Sequence, residues 1–285
     1  MLHRSTIQLL RLHFSLFLLP VYLFALSELP EINWTNAILV FIILHLLVYP
    51  SSNGYNSYMD RDVTPIGGLA SPLQPTRQLF YASVILDLIA LVLSIYISQL
   101  FALGILLYII ASRAYSYRGI RLKRFPLIGF LTVFIFQGGV IFYISYHAIH
   151  PDQTYIVPWL SCIISSFLIA ALYPLTQVYQ HEADQKDGVT TISYELGIKG
   201  TFIFSMILFL VATFLLYLRF QKLDELNHFN LYLLIMLPVV LFFLYWMLKA
   251  WKNPESANFR NSLLMNLLST ICTTVFFVLM IILKH

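Results

Sequence analysis

Long apolar runs alternate with short polar segments from one end of the chain to the other. A helix needs about 20 residues to cross the roughly 30 Å hydrocarbon core of a bilayer. Runs of about that length lie near residues 8–27, 36–52, 78–98, 100–114, 126–147, 156–178, 202–219, 230–250 and 263–283. Only Ser98 and Gln99 separate the third run from the fourth. The pattern predicts an all-α, polytopic membrane bundle of about nine transmembrane helices.

Composition strengthens this prediction and excludes a soluble globule. Hydrophobic residues make up 59% of the 285 residues and charged residues only 11%, against about 45–50% and about 25% in soluble domains. Because so few charged residues cannot cover a water-facing surface, most of the protein's outer surface must face lipid. We expect residues 1–285 to form a single integral-membrane domain, with the first apolar run retained as a span and not cleaved as a signal peptide.

The distribution of Lys and Arg predicts the orientation of the bundle. With a cytoplasmic N-terminus, 14 of the 17 Lys and Arg residues fall on the cytoplasmic side, which is the bias that sets membrane topology. In a bacterium this would be the inner membrane. The net charge is only +4 and no basic run is interleaved with aromatic residues, so we expect no nucleic-acid partner.

Two polar segments follow the second and sixth apolar runs. Residues 51–62 read SSNGYNSYMDRD and residues 174–188 read PLTQVYQHEADQKDG. Together they hold five of the 13 acidic residues, namely Asp60, Asp62, Glu182, Asp184 and Asp187. Acids at a membrane interface beside a basic loop are unusual for an inert connection.

Helical spacing gives each segment one polar face. If both helices continue, Asn53, Asn56, Asp60 and Thr64 share one face, and Gln180, Asp184 and Asp187 share another. Oxygen ligands directed into one space between helices suit Mg²⁺, which takes few protein oxygens, several waters and substrate phosphates. The basic loop at residues 113–124 offers complementary charge for a diphosphate. The same loop charges are also explained by membrane topology alone.

These segments resemble the UbiA superfamily of intramembrane prenyltransferases, which are nine-helix proteins. That family carries N-D-x-x-D-x-x-x-D after its second helix and D-x-x-x-D after its sixth. The run Arg121-Leu122-Lys123-Arg124-Phe125-Pro126 looks like the family's basic loop, and Asp184-x-x-x-Gly188-x-x-Thr191 is similar to its exit from the second motif. The resemblance covers most of the chain.

The first motif departs from the family pattern and admits two registers. In the preferred register Asn56 takes the family's Asn, and Ser57, Asp60 and Thr64 take its three Asp positions. In the alternative, Ser52 takes the Asn, and Asn53, Asn56 and Asp60 take the Asp positions. Either register retains one family carboxylate, Asp60.

The second motif also departs from the family. Gln180 replaces the first Asp and Asp184 retains the second. Asp62 and Glu182 each lie two residues from a retained Asp, which on a helix turns them about 200° away. They are therefore poor substitutes unless the helix breaks, and Asp187 is the better reserve ligand.

The resemblance implies Mg²⁺-dependent transfer of an isoprenyl group from its diphosphate to a lipophilic acceptor within the bilayer. It implies Asp60 and Asp184 as catalytic residues. It implies a metal site formed by Asn56, Asp60, Gln180, Asp184 and Asp187. The diphosphate would contact Asn53, Arg118, Arg121, Lys123 and Arg124.

Three other functions stay open at this point. A terpene cyclase on the same scaffold would use no acceptor. A non-catalytic isoprenoid-binding relative would account for the lost aspartates. A transporter has little support, because no inverted repeat is visible and polar residues in mid-span are sparse.

Other polar residues within the apolar runs have structural interpretations. Asp87 lies mid-span, where a charge is costly, and we expect it to be protonated or hydrogen-bonded to a neighbouring helix. Gln137-Gly138-Gly139 predicts close helix packing. Cys162 and Cys272 lie in apolar runs without metal-binding or disulfide spacing, and we expect both to be small packing residues.

Overall fold

The computed structural model describes residues 2–284, and within them nine helices are long and apolar enough to cross a membrane. In chain order they are α1 (Arg4–Glu28), α2 (Trp34–Asp60), α3 (Arg77–Ile97), α4 (Gln99–Ser116), α5 (Pro126–Ile149), α6 (Trp159–Thr176), α7 (Ile192–Lys222), α8 (Leu226–Lys252) and α9 (Phe259–Lys284). The prediction of nine spans and an all-α fold is confirmed. A short helix, His181–Lys186, lies between α6 and α7.

Local sequence signals account for several of the helix boundaries. Ser98 separates α3 from α4, and its hydroxyl accepts a hydrogen bond from the backbone N–H of Phe101 (3.0 Å). Asn33 and Thr191 cap α2 and α7 in the same way. Each of these side chains satisfies a backbone donor that the first turn leaves unpaired. Pro126 begins α5, where its missing N–H is no loss.

Consecutive helices pack against one another, and α9 returns to pack against α1. The bundle is therefore closed around its interior. Large apolar side chains also cover its outer surface, as at Ile95 (66% exposed), Leu234 (67%) and Ile282 (65%). Exposed apolar surface on this scale fits a lipid environment and not water. The chain is an integral, multi-pass membrane protein.

Helices α5 and α6 approach each other closely at Gly138. A Cβ added at Gly138 would lie 2.3 Å from the backbone Cα of Ser166. The Ser165 hydroxyl donates to the Gly138 carbonyl across the same contact (3.3 Å). The prediction that Gln137-Gly138-Gly139 marks close helix packing is confirmed.

Asp87 on α3 is bound by the two neighbouring helices. It accepts a hydrogen bond from the Ser51 hydroxyl of α2 (2.6 Å) and forms an ion pair with Arg113 of α4. The Arg113 guanidinium also lies 4.0 Å from the centroid of the Tyr55 ring. The expectation that Asp87 joins neighbouring helices is confirmed. Cys162 and Cys272 are both free, and Cys272 is buried.

Candidate functional site

A cavity of about 260 Å³ lies at the end of the bundle where α2, α4 and α6 end, which we call the site end. Its wall combines α1, α2, α4, α5 and α6 with the segments that follow α2 and α6. Both polar sequence segments therefore meet in one space, as their spacing predicts. The sequence-predicted residues that line it are Asn53, Asn56, Asp60, Lys123, Gln180 and Asp184.

The end of α2 decides which carboxylates reach this cavity. The helix ends at Asp60, and Arg61 adopts the left-handed conformation (φ 55°, ψ 41°) with its N–H bonded to the Ser57 carbonyl (3.0 Å). The chain then turns back, and Asp62 lines the cavity. The helix breaks at this point, which is the condition under which Asp62 could substitute for a lost aspartate of the motif. Thr64 also lines the cavity from outside the helix.

The residues that line the cavity distinguish between the two registers of the first motif. Ser52, Asn53, Asn56 and Asp60 all line the cavity, whereas Ser57 is buried away from it. The alternative register is therefore the one that places every motif position on the cavity. Sequence identity favours the other register, because that register aligns both the family's Asn and one of its Asp residues with identical residues.

The basic loop between α4 and α5 covers the site end and binds Asp60. Lys123 forms an ion pair with one Asp60 carboxylate oxygen, and Arg121 Nη2 lies 3.3 Å from the other. Arg121, like Arg61, has a left-handed backbone (φ 52°) and is 7% exposed. Lys123 lines the cavity. Its ammonium group therefore lies beside any anion bound there, while Asp60 provides its counter-charge.

Asp187 lies outside the cavity wall. The short helix ends at Lys186, and Asp187 forms ion pairs with Arg121 and Arg118. The Arg121 guanidinium beside it lowers the pKa of its carboxyl and outweighs the opposing effect of burial. The prediction that Asp187 shares a helical face with Asp184 assumed a continuing helix; Asp187 caps the end of the short helix and does not line the cavity. Glu182 is exposed.

Asp184 is the carboxylate with an unsatisfied oxygen. Its Oδ2 atom is buried without a hydrogen-bond partner, and its backbone N–H bonds to the Gln180 carbonyl (2.8 Å), which sets the two side chains one turn apart. Burial raises the pKa of Asp184 to about 7 and the pKa of Asp62 to about 6, with neighbouring acids adding to the effect. Among the described residues, neither carboxylate forms an ion pair.

This donor set fits a hard divalent cation shared with a substrate. Within residues 2–284, no group of three His, Cys, Asp or Glu side chains lies close enough to hold a metal alone. The cavity instead offers the carboxylates of Asp62 and Asp184 with the amide oxygens of Asn56 and Gln180. Mg²⁺ completes its shell with water and phosphate oxygens in sites of this kind. The orphaned Asp184 oxygen is an acceptor that such a cation would satisfy.

Three of the basic residues proposed for the diphosphate, Arg118, Arg121 and Arg124, do not line the cavity, and two of them point outward. Arg118 donates to the Met59 carbonyl (2.7 Å), and its side chain is exposed. Arg124 is exposed against the Phe125 ring, 4.6 Å from its centroid. Position in a basic loop therefore did not distinguish the residues that face the cavity from those that face outward.

Arg11 is a cavity residue that the sequence reasoning missed. It is 5% exposed, interrupts α1 with a left-handed backbone (φ 47°), and donates to the carbonyls of Gly67 (3.1 Å) and Asn53 (3.2 Å). Its Nε is buried without a partner. A charged residue inside an apolar run is a recognised signal of function, but the charge distribution alone includes Arg11 only among the Lys and Arg residues that set topology.

The comparisons with known proteins agree with this architecture. The model of the UbiA prenyltransferase family matches residues 16–270. A UbiA homolog from Archaeoglobus fulgidus bound to DMAPP and Mg²⁺ is 19% identical, with a TM-score of 0.74 over 98% of each chain. The same homolog bound to GPP and Mg²⁺ is 18% identical, with a TM-score of 0.71 over 97% of this chain and 99% of that one.

A structure of digeranylgeranylglyceryl phosphate synthase is similar as well. It is 20% identical, with a TM-score of 0.60 over 98% of this chain and 97% of that one. No curated protein matches the chain. With the family model covering most of its length, this chain belongs to the UbiA prenyltransferase family and thus to the prenyltransferase class of enzymes.

Proposed function

We propose that the protein transfers an isoprenyl group from an isoprenyl diphosphate to a lipophilic acceptor inside the membrane, with Mg²⁺ as cofactor. The observation that carries the proposal is that two partly buried carboxylates without ion-pair partners lie beside cationic side chains at the mouth of one cavity. Asp62 and Asp184 stand with Arg11 and Lys123 on the same cavity wall. The solved homolog with DMAPP or GPP and Mg²⁺ supports the choice of ligands.

The proposed metal ligands are Asp62, Asp184, Asn56 and Gln180. Bound Mg²⁺ would neutralise the diphosphate and stabilise the charge that develops on it as a leaving group. Asp60 holds Lys123 and Arg121 at the mouth through both of its carboxylate oxygens, so we assign it a positioning role in place of the metal contact that the family pattern implies. Lys123 and Arg11 supply fixed positive charge toward the departing oxygen.

The inner part of the cavity would shelter the allylic cation. When the carbon–oxygen bond breaks, its electron pair stays on the diphosphate and the positive charge remains on the allyl group. Tyr49, Tyr108 and Phe136 line the cavity inward of the charged residues, and aromatic faces attract cations. The closed helix bundle excludes water, which would otherwise capture the cation.

The test is diphosphate release by the full chain in lipid nanodiscs, with Mg²⁺, a panel of isoprenyl diphosphates, and with or without membrane lipid extract. Asp184→Asn should lower Mg²⁺-dependent release about 100-fold, the usual scale for one electrostatic contact to a transition state. Glu182→Gln is the matched control, because Glu182 lies on the same short helix but is exposed. Equal rates in the two variants would refute the assignment of Asp184.

The same assay separates the competing functions. Release that rises with lipid extract supports transfer to an acceptor. Release that is complete without extract, with a cyclised hydrocarbon as product, identifies a cyclase instead. A folded protein that binds isoprenyl diphosphates but releases no diphosphate under any condition is a binding protein.

A further inference from the structure

Of the described carboxylates on the cavity wall, only Asp60 is already neutralised by cations of the protein. Lys123 pairs with one of its oxygens, and Arg121 Nη2 lies 3.3 Å from the other. The side chains of Asp60, Arg121 and Lys123 are only 5%, 8% and 11% exposed. A metal ion at Asp60 would displace one of these cations and leave it buried without a counter-charge, which is strongly unfavourable. Asp60 is therefore a poor metal ligand in this chain.

The other side chains of the first motif that line the cavity are neutral. The Ser52 hydroxyl shares a hydrogen bond with the Ser112 hydroxyl (2.6 Å), and Oδ1 of Asn56 accepts one from the Ser116 hydroxyl (2.9 Å). Asn53 lies on the same wall. Neutral oxygens can complete the shell of Mg²⁺, but protein sites for this ion also supply one or two carboxylates. The first motif therefore lacks the ligands for a metal ion of its own.

Asp62 and Asp184 are the two carboxylates on the cavity wall that remain for a metal. Among the described residues neither has an ion-pair partner. Burial raises the pKa of Asp184, and the charges of Asp60 and Asp62 add to this effect, so the acids lie within range of each other's charge. Gln180 donates through Nε2 to the Pro65 carbonyl (3.3 Å), which leaves its Oε1 for a cation. Two carboxylates balance the charge of one divalent ion.

Positive charge from the protein surrounds the rest of the cavity mouth. Three cations face two carboxylates in one ion-pair cluster, which gives it a net charge of +1; its members are Arg118, Arg121, Lys123, Asp60 and Asp187. Arg11 adds a second charge, because it donates to backbone carbonyls and forms no ion pair within the described part of the chain. Together these side chains present +2 to an anion, which is the charge of one Mg²⁺.

We propose that the site binds a single Mg²⁺, held between Asp62 and Asp184, and that Arg11 and Lys123 bind the diphosphate in place of a second metal ion. The proposal rests on the proposed function and specifies how its diphosphate is held. Arg11 is 5% exposed, lines the cavity, and has a buried Nε without a hydrogen-bond partner. A guanidinium donor of this kind suits a phosphate oxygen.

This division of charge separates two kinds of variant. Removal of a metal-ligating carboxylate should weaken the binding of the metal. Removal of a cationic side chain should weaken the binding of the diphosphate without changing the number of metal ions bound.

The first experiment counts metal ions without turnover. The full chain in phosphatidylcholine nanodiscs is titrated with Mn²⁺, a paramagnetic substitute for Mg²⁺, beside geranyl thiolodiphosphate, whose bridging sulfur slows ionisation. Electron paramagnetic resonance measures the free Mn²⁺, and protein-free nanodiscs give the background. We expect one Mn²⁺ per chain. Asp184→Asn should weaken its binding at least about tenfold, a loss that even outer-shell partners of a metal can cause, and Glu182→Gln should leave it unchanged.

The second experiment measures the affinity for the thiolodiphosphate in charge variants. Lys123→Met and Arg11→Gln should each weaken it about tenfold, the scale of one hydrogen bond to a charged group, and each should still bind one Mn²⁺. Lys123→Arg retains the charge and should retain the affinity. Arg124→Met is the matched control, because Arg124 lies in the same loop but is exposed, and it should change neither quantity.

Two bound Mn²⁺ per wild-type chain, or none, would overturn the proposal. So would unchanged thiolodiphosphate affinity in both Lys123→Met and Arg11→Gln, provided that their unfolding temperatures show folded protein. Mg²⁺-dependent diphosphate release by the same wild-type preparation tests the proposed function separately. Release with two Mn²⁺ bound refutes only the single ion, whereas one Mn²⁺ without release from any donor refutes only the transfer reaction.

Discussion

At the residue scale, buried charge in this bundle is held mainly in ion pairs between helices. Arg113 with Asp87 ties α4 to α3, and Arg219 with Glu28 ties α7 to α1 near the end of the bundle opposite the site. Such pairs contribute little net stability, but removing one partner leaves the other charge buried alone. The unpaired carboxylates Asp62 and Asp184 are exceptions, which is why we assign them to a ligand.

Asp87→Asn should destabilise the protein by about 3–5 kcal/mol, because the Arg113 guanidinium would lose its counter-charge in a nonpolar environment. The measurement is the thermal unfolding temperature in detergent. Asp152→Asn, an exposed acid in the connection between α5 and α6, provides the control. Similar unfolding temperatures for the two variants would show that Asp87 is not ionised in this pair.

At the scale of elements, the residue at which a helix ends helps to determine which side chains line the cavity. A single left-handed residue, Arg61, ends α2 and returns Asp62 to the cavity. Asp187, which follows the last residue of the short helix, lies outside the cavity wall and pairs with Arg118 and Arg121. Asp62 and Asp187 lie two and three residues after a retained motif aspartate, but only Asp62 lines the cavity.

Arg61→Val should disrupt this turn, because a β-branched residue strongly disfavours the left-handed conformation. We expect Mg²⁺-dependent diphosphate release to fall at least about tenfold as Asp62 leaves the proposed metal site. Arg61→Gly removes the same charge but adopts the left-handed conformation freely, so it should retain activity. Equal losses in both variants would mean that the Arg61 side chain, and not the turn, is required.

At the scale of the whole molecule, the site end carries most of the Lys and Arg residues, which predicts that it faces the cytoplasm. A soluble diphosphate would then reach the cavity mouth from the aqueous side, while apolar substrates enter from the bilayer. This orientation follows from charge distribution and remains a prediction.

Labelling of single cysteines on intact cells tests the orientation. A membrane-impermeant maleimide should label Asp152→Cys, which is at the end opposite the site, and should label Gln185→Cys only after the cells are lysed. Both positions are exposed in the structure. The unsubstituted chain measures the background from Cys162 and Cys272. Labelling of Gln185→Cys in intact cells would reverse the orientation.

The sequence by itself determined the number and order of the spans, because the hydrocarbon thickness of a bilayer sets a length that apolar runs must match. It also determined that the segments after α2 and α6 form one polar region, since helices of this length return alternate loops to the same side. Even the boundary at Ser98 follows from a local hydrogen bond between a side chain and the next turn.

Only the tertiary structure decided which polar residues share the cavity. Asp62 lines the cavity because a left-handed residue ends α2 just before it. Arg11 donates hydrogen bonds to two backbone carbonyls from distant segments. Asp187 lies outside the cavity, where it forms an ion pair with Arg121. These outcomes depend on where a helix stops and on which groups lie across the bundle. Helical periodicity assumes a continuous helix and describes only one helix at a time, so it contains no information about either.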